Sequence, residues 1–475
     1  MLMWPSSDPL TKILIDRLQA AGHEIVYWVG ERPIEYLNPA GCIFHDHYDA
    51  WDASRAEAFR DADIAPADPI LIESMYATES LLLSMMNKRY DEAPVDERKH
   101  VYYTMLSYWN HVLDTTKPDF ILYALVPHSI YSNIVYDLAR TRGIPTLCFE
   151  DTWAALRLLP FEDFWKGNEG LHVSLSTCVK QELTLEDIGK ELRDYYLATR
   201  ELREVPSYMQ QQKKLAEGFG LVWHRIAVAL RALRSGALPR LLSEFARRAF
   251  MSNLRGEYER LTSNVGWDVP FVYFPLSFQP ERTTSPQGGI FHDQILAVET
   301  LAAALPKAWE VYVKEHPSQW WLRGKTRYSS ARYKGYYERL AKIPRARLVP
   351  IHASSFELTK RSKTVATITG TAGWEALARG KMPLVFGYPW YRDCPGVFRV
   401  SSAADCIKAL EKIERGAEVH EQDIIAYLKA LEENSIRAHL ADPPAGSPVV
   451  QPEENMRIIA DFVLSHMNSL RPASQ

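Results

Sequence analysis

Residues 364–391 combine two apolar runs, a loop of small residues and a helix-forming segment. The first run, residues 365–368, leads into the loop TGTAG, and a helical segment (374–379) and a second apolar run (383–386) follow. This order predicts a strand–loop–helix–strand unit with its loop at the carboxyl end of a buried parallel strand. A doubly wound α/β sheet is the fold that such a unit favours.

The small-residue loop is a candidate anion site. Gly370 and Gly373 allow the backbone to approach a ligand closely. The amides at the start of the following helix can donate hydrogen bonds to a phosphate, as can the hydroxyls of Thr369 and Thr371. We expect Glu375, in the first turn, to accept hydrogen bonds from a ribose on the same side. The pattern also fits an ordinary strand–helix turn whose glycines serve packing.

A second apolar run, residues 309–313, ends in Lys314, Glu315, His316 and Pro317. In doubly wound sheets, ligands bind outside the carboxyl ends of the strands. A histidine after a strand is often structural. A cation and an imidazole in the same region as the glycine loop nevertheless favour a phosphate subsite.

Composition narrows the class of protein. The chain has 475 residues, enough for two or three domains, with 47% hydrophobic and 24% charged residues. Its net charge of −4 gives no general attraction to nucleic acid. Five cysteines without CxxC spacing fit neither a disulfide framework nor a zinc site, and they suggest a reducing cytoplasm. We expect neither a secretory signal nor a membrane-spanning segment.

Strand and helix signals alternate through residues 1–150 and again through residues 271–386, whereas residues 183–261 are mostly helical. We predict an α/β fold in which two Rossmann-like domains face each other across a cleft, with a helical insertion between them. The predicted parts are an N-terminal domain (1–182), a helical connector (183–267), a C-terminal nucleotide-binding domain (268–440) and a tail helix (441–475).

Two further segments carry polar groups at strand ends. The loop 277–292 is too long and polar for a simple connection, and Gln279 and Glu281 are its candidate binding residues. Glu150 and Asp151 follow the apolar run 145–149, where one carboxylate could act as an acid and the other as a nucleophile or base. The alternative reading of this pair is a helix cap.

Other patterns are weaker. His128 and Ser129 follow a predicted strand, and a structural role for them is at least as good as a functional one. His45 and His47 resemble a metal pair, but no third ligand is evident, so we predict no metal site. The pattern of residues 219–250 predicts basic amphipathic helices that fit either an anionic membrane surface or a packed hairpin.

In these motifs the chain resembles the bacterial capsule polysaccharide biosynthesis family, which includes β-Kdo glycosyltransferases. The resemblance rests on a QP segment at Gln279-Pro280-Glu281, an HP segment at His316-Pro317, and the small-residue loop with its helix. It covers roughly residues 120–155 and 268–400. The chain departs from the family in having Thr152 where a glycine usually closes the acidic pair, and Ser277 where histidine is common.

The resemblance implies a GT-B-like fold whose C-terminal domain holds a nucleotide-sugar donor, usually CMP-Kdo. His316 and the loop at Thr369, Gly370 and Thr371 would then hold the CMP phosphate. Glu375 or the Gln279 loop would hold the ribose or base. Other CMP-sugars, or another nucleotide, stay open.

The leading hypothesis is a glycosyltransferase that moves a Kdo-like or other acidic sugar to a polysaccharide or glycolipid acceptor. Asp151 would be the nucleophile or base and Glu150 the complementary acid–base group, while His316 would stabilise the leaving phosphate. No cofactor besides the donor is expected, and the protein would be cytoplasmic, with peripheral association at the inner membrane. The alternatives are a nucleotide-sugar 2-epimerase and a non-catalytic capsule assembly protein.

Overall fold

A computed structural model describes residues 1–201, 254–279, 281, 284–321, 331–441 and 450–470, with backbone only for 320 and 321. The chain divides into two compact units, with breaks between Leu197 and Ala198 and between Glu421 and Gln422. Unit 1 contains both ends of the chain and unit 2 the middle.

Unit 1 is built on a six-stranded sheet in the order β3-β2-β1-β4-β5-β6. Neighbouring strands are parallel except β5 and β6, which form an antiparallel pair. The strands are β1 (Leu2–Met3), β2 (Tyr27–Gly30), β3 (Ile43–Asp46), β4 (Ile121–Tyr123), β5 (Thr146–Asp151) and β6 (Leu158–Phe161).

Helices cover the faces of this sheet. Those in the first part of the chain are α1 (Thr11–Ala20), α2 (His47–Trp51), α3 (Pro69–Ser74), α4 (Tyr76–Met85), α5 (Val95–Thr116), α6 (Ile130–Thr141), α7 (Glu169–Cys178) and α8 (Lys190–Glu201). Short 3-10 turns lie at Arg32–Leu37, Glu57–Phe59, Met86–Lys88 and Leu185–Asp187.

Unit 2 contains a second six-stranded sheet, in the order β12-β11-β10-β7-β8-β9, in which all neighbours are parallel. The strands are β7 (Phe271–Pro275), β8 (Glu310–Lys314), β9 (Ala346–Leu348), β10 (Thr364–Thr367), β11 (Leu384–Val385) and β12 (Phe398–Arg399). Both sheets therefore have the 3-2-1-4-5-6 order of a Rossmann fold. The predicted α/β class with two Rossmann-like domains is confirmed.

The described helices in the second part of the chain continue the numbering. They are α9 (Leu254–Leu261), α10 (Gln294–Ala304), α11 (Ser318–Trp321), α12 (Tyr336–Lys342), α13 (Ser355–Arg361), α14 (Thr371–Ala378), α15 (Ala403–Glu414), α16 (Glu421–Asn434) and α17 (Pro452–Leu470), with a 3-10 turn at Gly289–His292.

Strand β8 shows why the central strands of unit 2 read as nearly continuous apolar runs. Val311 and Val313 pack in the core with α10 and α12, whereas Tyr312 packs on the opposite face with residues of α13 and α14. A parallel strand buried on both faces needs apolar residues at successive positions. The alternation places Lys314, the last residue of β8, on the α13 and α14 face.

The predicted domain boundaries need correction at the carboxyl end. Residues 422–440 were assigned to the C-terminal domain, but they belong to unit 1. Ile436 pairs with Leu158, and α17 packs on α1 through a shared apolar core. A sequence pattern shows that α16 and α17 are amphipathic, but not which sheet they cover.

The predicted helical connector is described only at its ends, by α8 and α9, and the basic segment 219–250 lies outside the described residues. Within the described part of the chain, no helix combines the length and the apolar character needed to cross a membrane.

Candidate functional site

The strand order of unit 2 fixes where a ligand can bind. Strands β7 and β10 are neighbours in the sheet, and successive strands are added outward from them in opposite directions. Ligands of such sheets bind at the carboxyl ends of the strands beside this switch point. Strand β7 separates β8 from β10, so the ends of these two strands lie about 10 Å apart. An anion above the end of β7 would lie between the loops that follow them.

The start of α14 follows β10 at this edge. Its N-cap is Gly370, in an extended conformation (φ −68°, ψ 150°), and no side chain caps the helix. By contrast, side chains cap α10, α13 and α15, namely Asp293, Ser354 and Ser402. The amide of Gly373 donates to the carbonyl of Gly370. The amides of Thr371 and Ala372 have no side-chain acceptor among the described residues, and they can donate to an anion.

The glycines of this loop have a different role from the one predicted. A side chain at Gly370 would place its Cβ 2.8 Å from the hydroxyl oxygen of Thr367, and one at Gly373 would collide with the hydroxyl of Tyr391. Tyr391 donates a hydrogen bond to the carbonyl of Gly370. The two glycines thus leave room for the side chains of Thr367 and Tyr391, and the prediction that they make room for a ligand is not supported.

Lys314 is the buried cation of the site. Its side chain is on the face of the sheet covered by α13 and α14, and Nζ donates to Ser355 Oγ at 2.8 Å. Burial lowers the pKa of Lys314 to about 8. Within the described residues it forms no ion pair. An amine held in this way is stabilised by a bound anion, because the anion supplies the missing countercharge.

His316 is half-buried at the end of the same strand. The backbone N–H of Ser318 donates to Nδ1 at 3.2 Å, so Nδ1 carries no proton and the neutral ring holds its proton on Nε2. Burial lowers the pKa of His316 to about 4, while nearby Glu315 opposes the shift. Near neutral pH the imidazole is therefore an uncharged hydrogen-bond donor, and the positive charge comes from Lys314.

Gln279 and Glu281 are the two predicted binding residues in the loop that follows β7. Gln279 is buried: its Oε1 accepts from Arg332 at 3.1 Å and its Nε2 donates to the carbonyl of His292 at 2.8 Å. Its side chain holds the loop in place, which leaves the predicted ribose or base contact without support. Glu281 is exposed, and its contact with a ligand stays a prediction.

Glu375 lies one turn into α14, a quarter exposed, with Oε2 3.6 Å from Arg379. Burial raises the pKa of Glu375, whereas Arg379 and a hydrogen bond from Thr371 oppose the shift. Thr369, two residues before the helix, is buried. Thr371 is in the first turn of α14 and Glu375 is not, so the prediction that Glu375 lies in the first turn is wrong, and its contact with a ribose stays a prediction.

Arg332, which precedes α12, was not among the residues that the sequence indicated. The helix begins only at Tyr336, after Gly335 (φ 83°), and Glu257 accepts hydrogen bonds from the backbone amides of Gly335 and Tyr337. Arg332 lies in the preceding segment with its side chain fully buried against Glu315. An arginine close in sequence to Tyr333, Tyr336 and Tyr337 was the available signal.

In unit 1, Glu150 and Asp151 end β5, and both are buried. Successive residues of a strand point to opposite faces. Asp151 shares a face with Phe149, which packs in the α1 and α17 core, and its Oδ1 accepts from the backbone amide of Leu440 at 3.2 Å. Asp151 therefore supports the segment before α17, and Glu150 points to the other face.

The turn after this pair is unusual. Trp153, Ala155 and Leu156 all have positive φ angles of 53–58°, which costs non-glycine residues about 1 kcal/mol or more each. Thr152 holds the turn: its hydroxyl donates to the carbonyl of Arg157 and accepts from the amide of Ala154. The antiparallel pairing of β5 with β6 rules out the helix-cap reading of the carboxylates.

The other candidates in unit 1 are structural. His45 accepts from the hydroxyl of Tyr27 at 2.7 Å and donates to the carbonyl of Ser54, while His47 bonds to the hydroxyl of Tyr131. No cluster of three metal-ligating side chains occurs in the part of the chain that is described. Ser129 belongs to the capping box at the start of α6.

Comparison with protein families gives a match for part of the chain. The model of the family described as capsule polysaccharide biosynthesis protein matches residues 283–430. The resemblance drawn from the motifs is thus confirmed for this part of the chain, which contains His316 and α14 but not the acidic pair. A comparison with curated proteins gave no match.

Several solved structures show distant similarity. UDP-GlcNAc 2-epimerase from Neisseria meningitidis, bound to UDP-GlcNAc, is 11% identical over 98% of this chain and 99% of its own, with a TM-score of 0.26. The β-Kdo 2,7 transferase of Thermosulfurimonas dismutans KpsC is 11% identical over 74% and 88%, with a TM-score of 0.30. The β-Kdo 2,4 transferase of that protein is 14% identical over 65% and 86%, with a TM-score of 0.26. At such low TM-scores these likenesses carry no argument about activity.

Proposed function

We propose that this chain is a glycosyltransferase that transfers an acidic sugar, Kdo or a similar one, from a CMP-linked donor to a capsule or other surface-glycan acceptor. The proposal is supported mainly by the groups found at the carboxyl ends of the strands in unit 2. There an uncapped helix start, a buried amine and the donor nitrogen of a neutral imidazole follow the strands on either side of β7. The match to the capsule biosynthesis family over the same residues supports it.

The chemistry follows from the leaving group. When the sugar–phosphate bond breaks, negative charge develops on the CMP phosphate, and donors fixed in advance stabilise that charge. Lys314 supplies the positive charge, and the amides of α14 and the Nε2–H of His316 supply hydrogen bonds. These groups meet the charge of one phosphate, so we propose that transfer continues in the presence of a metal chelator.

The acidic pair of unit 1 provides the acid–base candidates. We propose Glu150 for proton transfer with the acceptor, because Asp151 already accepts a hydrogen bond that holds Leu440. Trp153 is 37% exposed two residues further on, and it offers the apolar face of a ring to a sugar. The acceptor would then be a polysaccharide or glycolipid, and contact with the inner membrane remains part of the proposal.

The first test is thermal unfolding with CMP, CDP, UDP and GDP, on the unaltered chain and on His316→Ala. A ligand at one hundred times its Kd stabilises a protein by about 2.7 kcal/mol. We expect CMP to raise the Tm of the unaltered chain and not that of His316→Ala. The matched control is His352→Ala, which removes an exposed histidine of the same unit and should respond like the parent.

Two other outcomes would redirect the proposal. Stabilisation by UDP alone, with donor turnover in the absence of acceptor, would indicate a nucleotide-sugar 2-epimerase. No stabilisation by any of the four nucleotides would favour a non-catalytic assembly protein. Incubation with CMP-Kdo and an acidic glycan acceptor, followed by detection of released CMP, then tests transfer directly.

A further inference from the structure

We propose that Arg332 and Glu315 are positioning residues for His316, and that they fix the direction in which its Nε2–H points. The inference concerns the same site as the proposed function and rests on it where nucleotide binding is concerned. The arrangement of the histidine ring itself can be tested without any nucleotide.

The two side chains form a fully buried ion pair. Arg332 Nε lies 2.8 Å from Glu315 Oε2, and one terminal nitrogen, Nη2, lies 3.3 Å from Oε1. Both side chains are 0% exposed. The hydroxyl of Tyr337 also donates to Oε2, and the guanidinium lies 4.5 Å from the ring centre of Tyr336. This planar, two-point geometry is one that lysine cannot reproduce.

The guanidinium also holds the loop that follows β7. Its Nη1 donates to Gln279 Oε1 at 3.1 Å, and its Nη2 donates to the carbonyl of Ser277 at 3.0 Å. The backbone N–H of Gln279 donates to the side-chain oxygen of Gln319, and the side-chain nitrogen of Gln319 donates to the backbone carbonyl of Gln279. One arginine therefore ties the loop after β7 to the loop after β8.

The carboxylate holds His316. Glu315 Oε1 accepts from the backbone N–H of His316 at 2.7 Å. The ring is fixed at a second point, because the N–H of Ser318 donates to Nδ1. With the backbone anchored on one side and Nδ1 on the other, the remaining nitrogen has a set direction.

The position of the pair argues against a role in stability alone. Taking two charges out of water is costly, and a buried ion pair is often no more stabilising than apolar residues of the same volume. Here the polar atoms of the pair are directed at the loops that follow β7 and β8. What the pair provides is therefore the geometry of those loops.

The test compares Arg332→Lys with Arg347→Lys. Arg347 forms an ion pair with Glu310 at the other end of β8, half-exposed, and serves as the matched control. Histidine-labelled protein is examined by NMR, with the His316 signal assigned from its loss in His316→Ala. We expect a single Nε2–H tautomer in the parent and in Arg347→Lys, and a mixture of tautomers in Arg332→Lys.

Binding of CMP is then measured by calorimetry. We expect Arg332→Lys to weaken CMP binding at least tenfold and Arg347→Lys to change it less than twofold. An unchanged tautomer together with unchanged affinity in folded Arg332→Lys would overturn the proposal. If Arg332→Lys does not fold, Tyr337→Phe removes one hydrogen bond to Glu315. A shifted tautomer balance is then expected, and its absence counts against the proposal.

The two proposals fail in different ways. If the parent does not bind CMP, the proposed donor is wrong, but the tautomer measurement still decides whether Arg332 and Glu315 position His316. If the parent binds CMP and Arg332→Lys binds it equally well with its ring unchanged, the donor assignment survives and the positioning role does not.

Discussion

The two units share one strand order but differ at the helix that follows the fourth strand. In unit 1 this helix is α6, and the side chains of Ser129 and Ser132 close its start in a capping box. In unit 2 it is α14, which begins at Gly370 without a side-chain cap. Equivalent positions of one fold are thus closed in one unit and left open to a ligand in the other. The strand order offers a possible site at this position in both units, and the missing side-chain cap distinguishes the site that we propose in unit 2.

The histidines show the same contrast. His45 and His47 of unit 1 satisfy tyrosine hydroxyls and a backbone carbonyl. Of the two ring nitrogens of His316, only Nδ1 has a hydrogen-bond partner among the described residues. Burial lowers the pKa of all three to about 4, so their charges are alike and their hydrogen-bonding directions differ. The following changes test this contrast, from the largest expected effect to the smallest.

Glu150→Gln should abolish most of the turnover and leave CMP binding intact. Loss of a general acid or base typically costs roughly 10²–10⁴ in rate. Asp151→Asn keeps an oxygen that can accept from Leu440, so it should fold and remain active. Rates of CMP release at saturating donor measure the difference. High activity in Glu150→Gln with none in Asp151→Asn would restore Asp151 as the catalytic carboxylate.

Lys314→Met should weaken CMP binding by roughly ten- to a hundredfold, the range for losing a charged hydrogen-bond partner. The same change should raise the Tm of the ligand-free protein, because a buried amine without an ion-pair partner among the described residues is replaced by an apolar chain of similar length. The exposed lysine substitution Lys363→Met is the control. Calorimetry and thermal unfolding together separate this outcome from simple misfolding.

Lys314 also predicts a pH dependence. Its amine is charged below about pH 8 and becomes neutral above it, so CMP affinity should fall as the pH rises through 8. His316, with its pKa near 4, should add no change between pH 6 and 9. In Lys314→Met the fall above pH 8 should be absent. If CMP affinity still falls above pH 8 in Lys314→Met, a group other than Lys314 is responsible for the pH dependence.

Thr371→Pro should weaken CMP binding about tenfold without loss of structure. Proline is well accepted at the first position of a helix, and Gly370 already has the extended conformation that precedes proline. The change removes one amide donor and the hydroxyl. Thr371→Val removes only the hydroxyl and is the control. Equal affinities for the two variants would show that the amide does not contact the phosphate.

Ser129→Ala should lower the stability of the protein by about 1 kcal/mol, the usual cost of losing a helix cap. Because α6 is closed by its own side chains, CMP affinity should not change. Chemical unfolding and calorimetry measure the two effects. A loss of CMP affinity in this variant would remove the contrast between α6 and α14.

Much of the fold could be predicted because its strands are buried on both faces and its helices are amphipathic. The runs at β8 and β10 were each placed within one residue of their observed bounds. Strand β6 was not predicted, because the short apolar stretch at 158–161 follows a turn that contains no glycine or proline. The unit to which α16 and α17 belong depends on contacts distant in sequence, such as Ile436 with Leu158.

The candidate site was predicted less completely. Residue type and spacing indicated Lys314, His316 and the start of α14. They did not show that Gly373 makes room for Tyr391, because that contact joins α14 to a segment 18 residues further along the chain. Nor did they indicate Arg332, whose partner Glu315 is 17 residues away. Hydrogen-bond partners of this kind depend on the folded structure.

The packing of α17 on α1 has a consequence for synthesis on the ribosome. Leu14 and Leu18 of α1 share their core with Ile459 and Val463 of α17, which are made more than 430 residues later. At 5–20 residues per second, the apolar face of α1 stays without this cover for roughly 20 to 90 seconds. Unit 2 is by then fully translated, so it can fold before α17 completes the apolar core around α1 in unit 1.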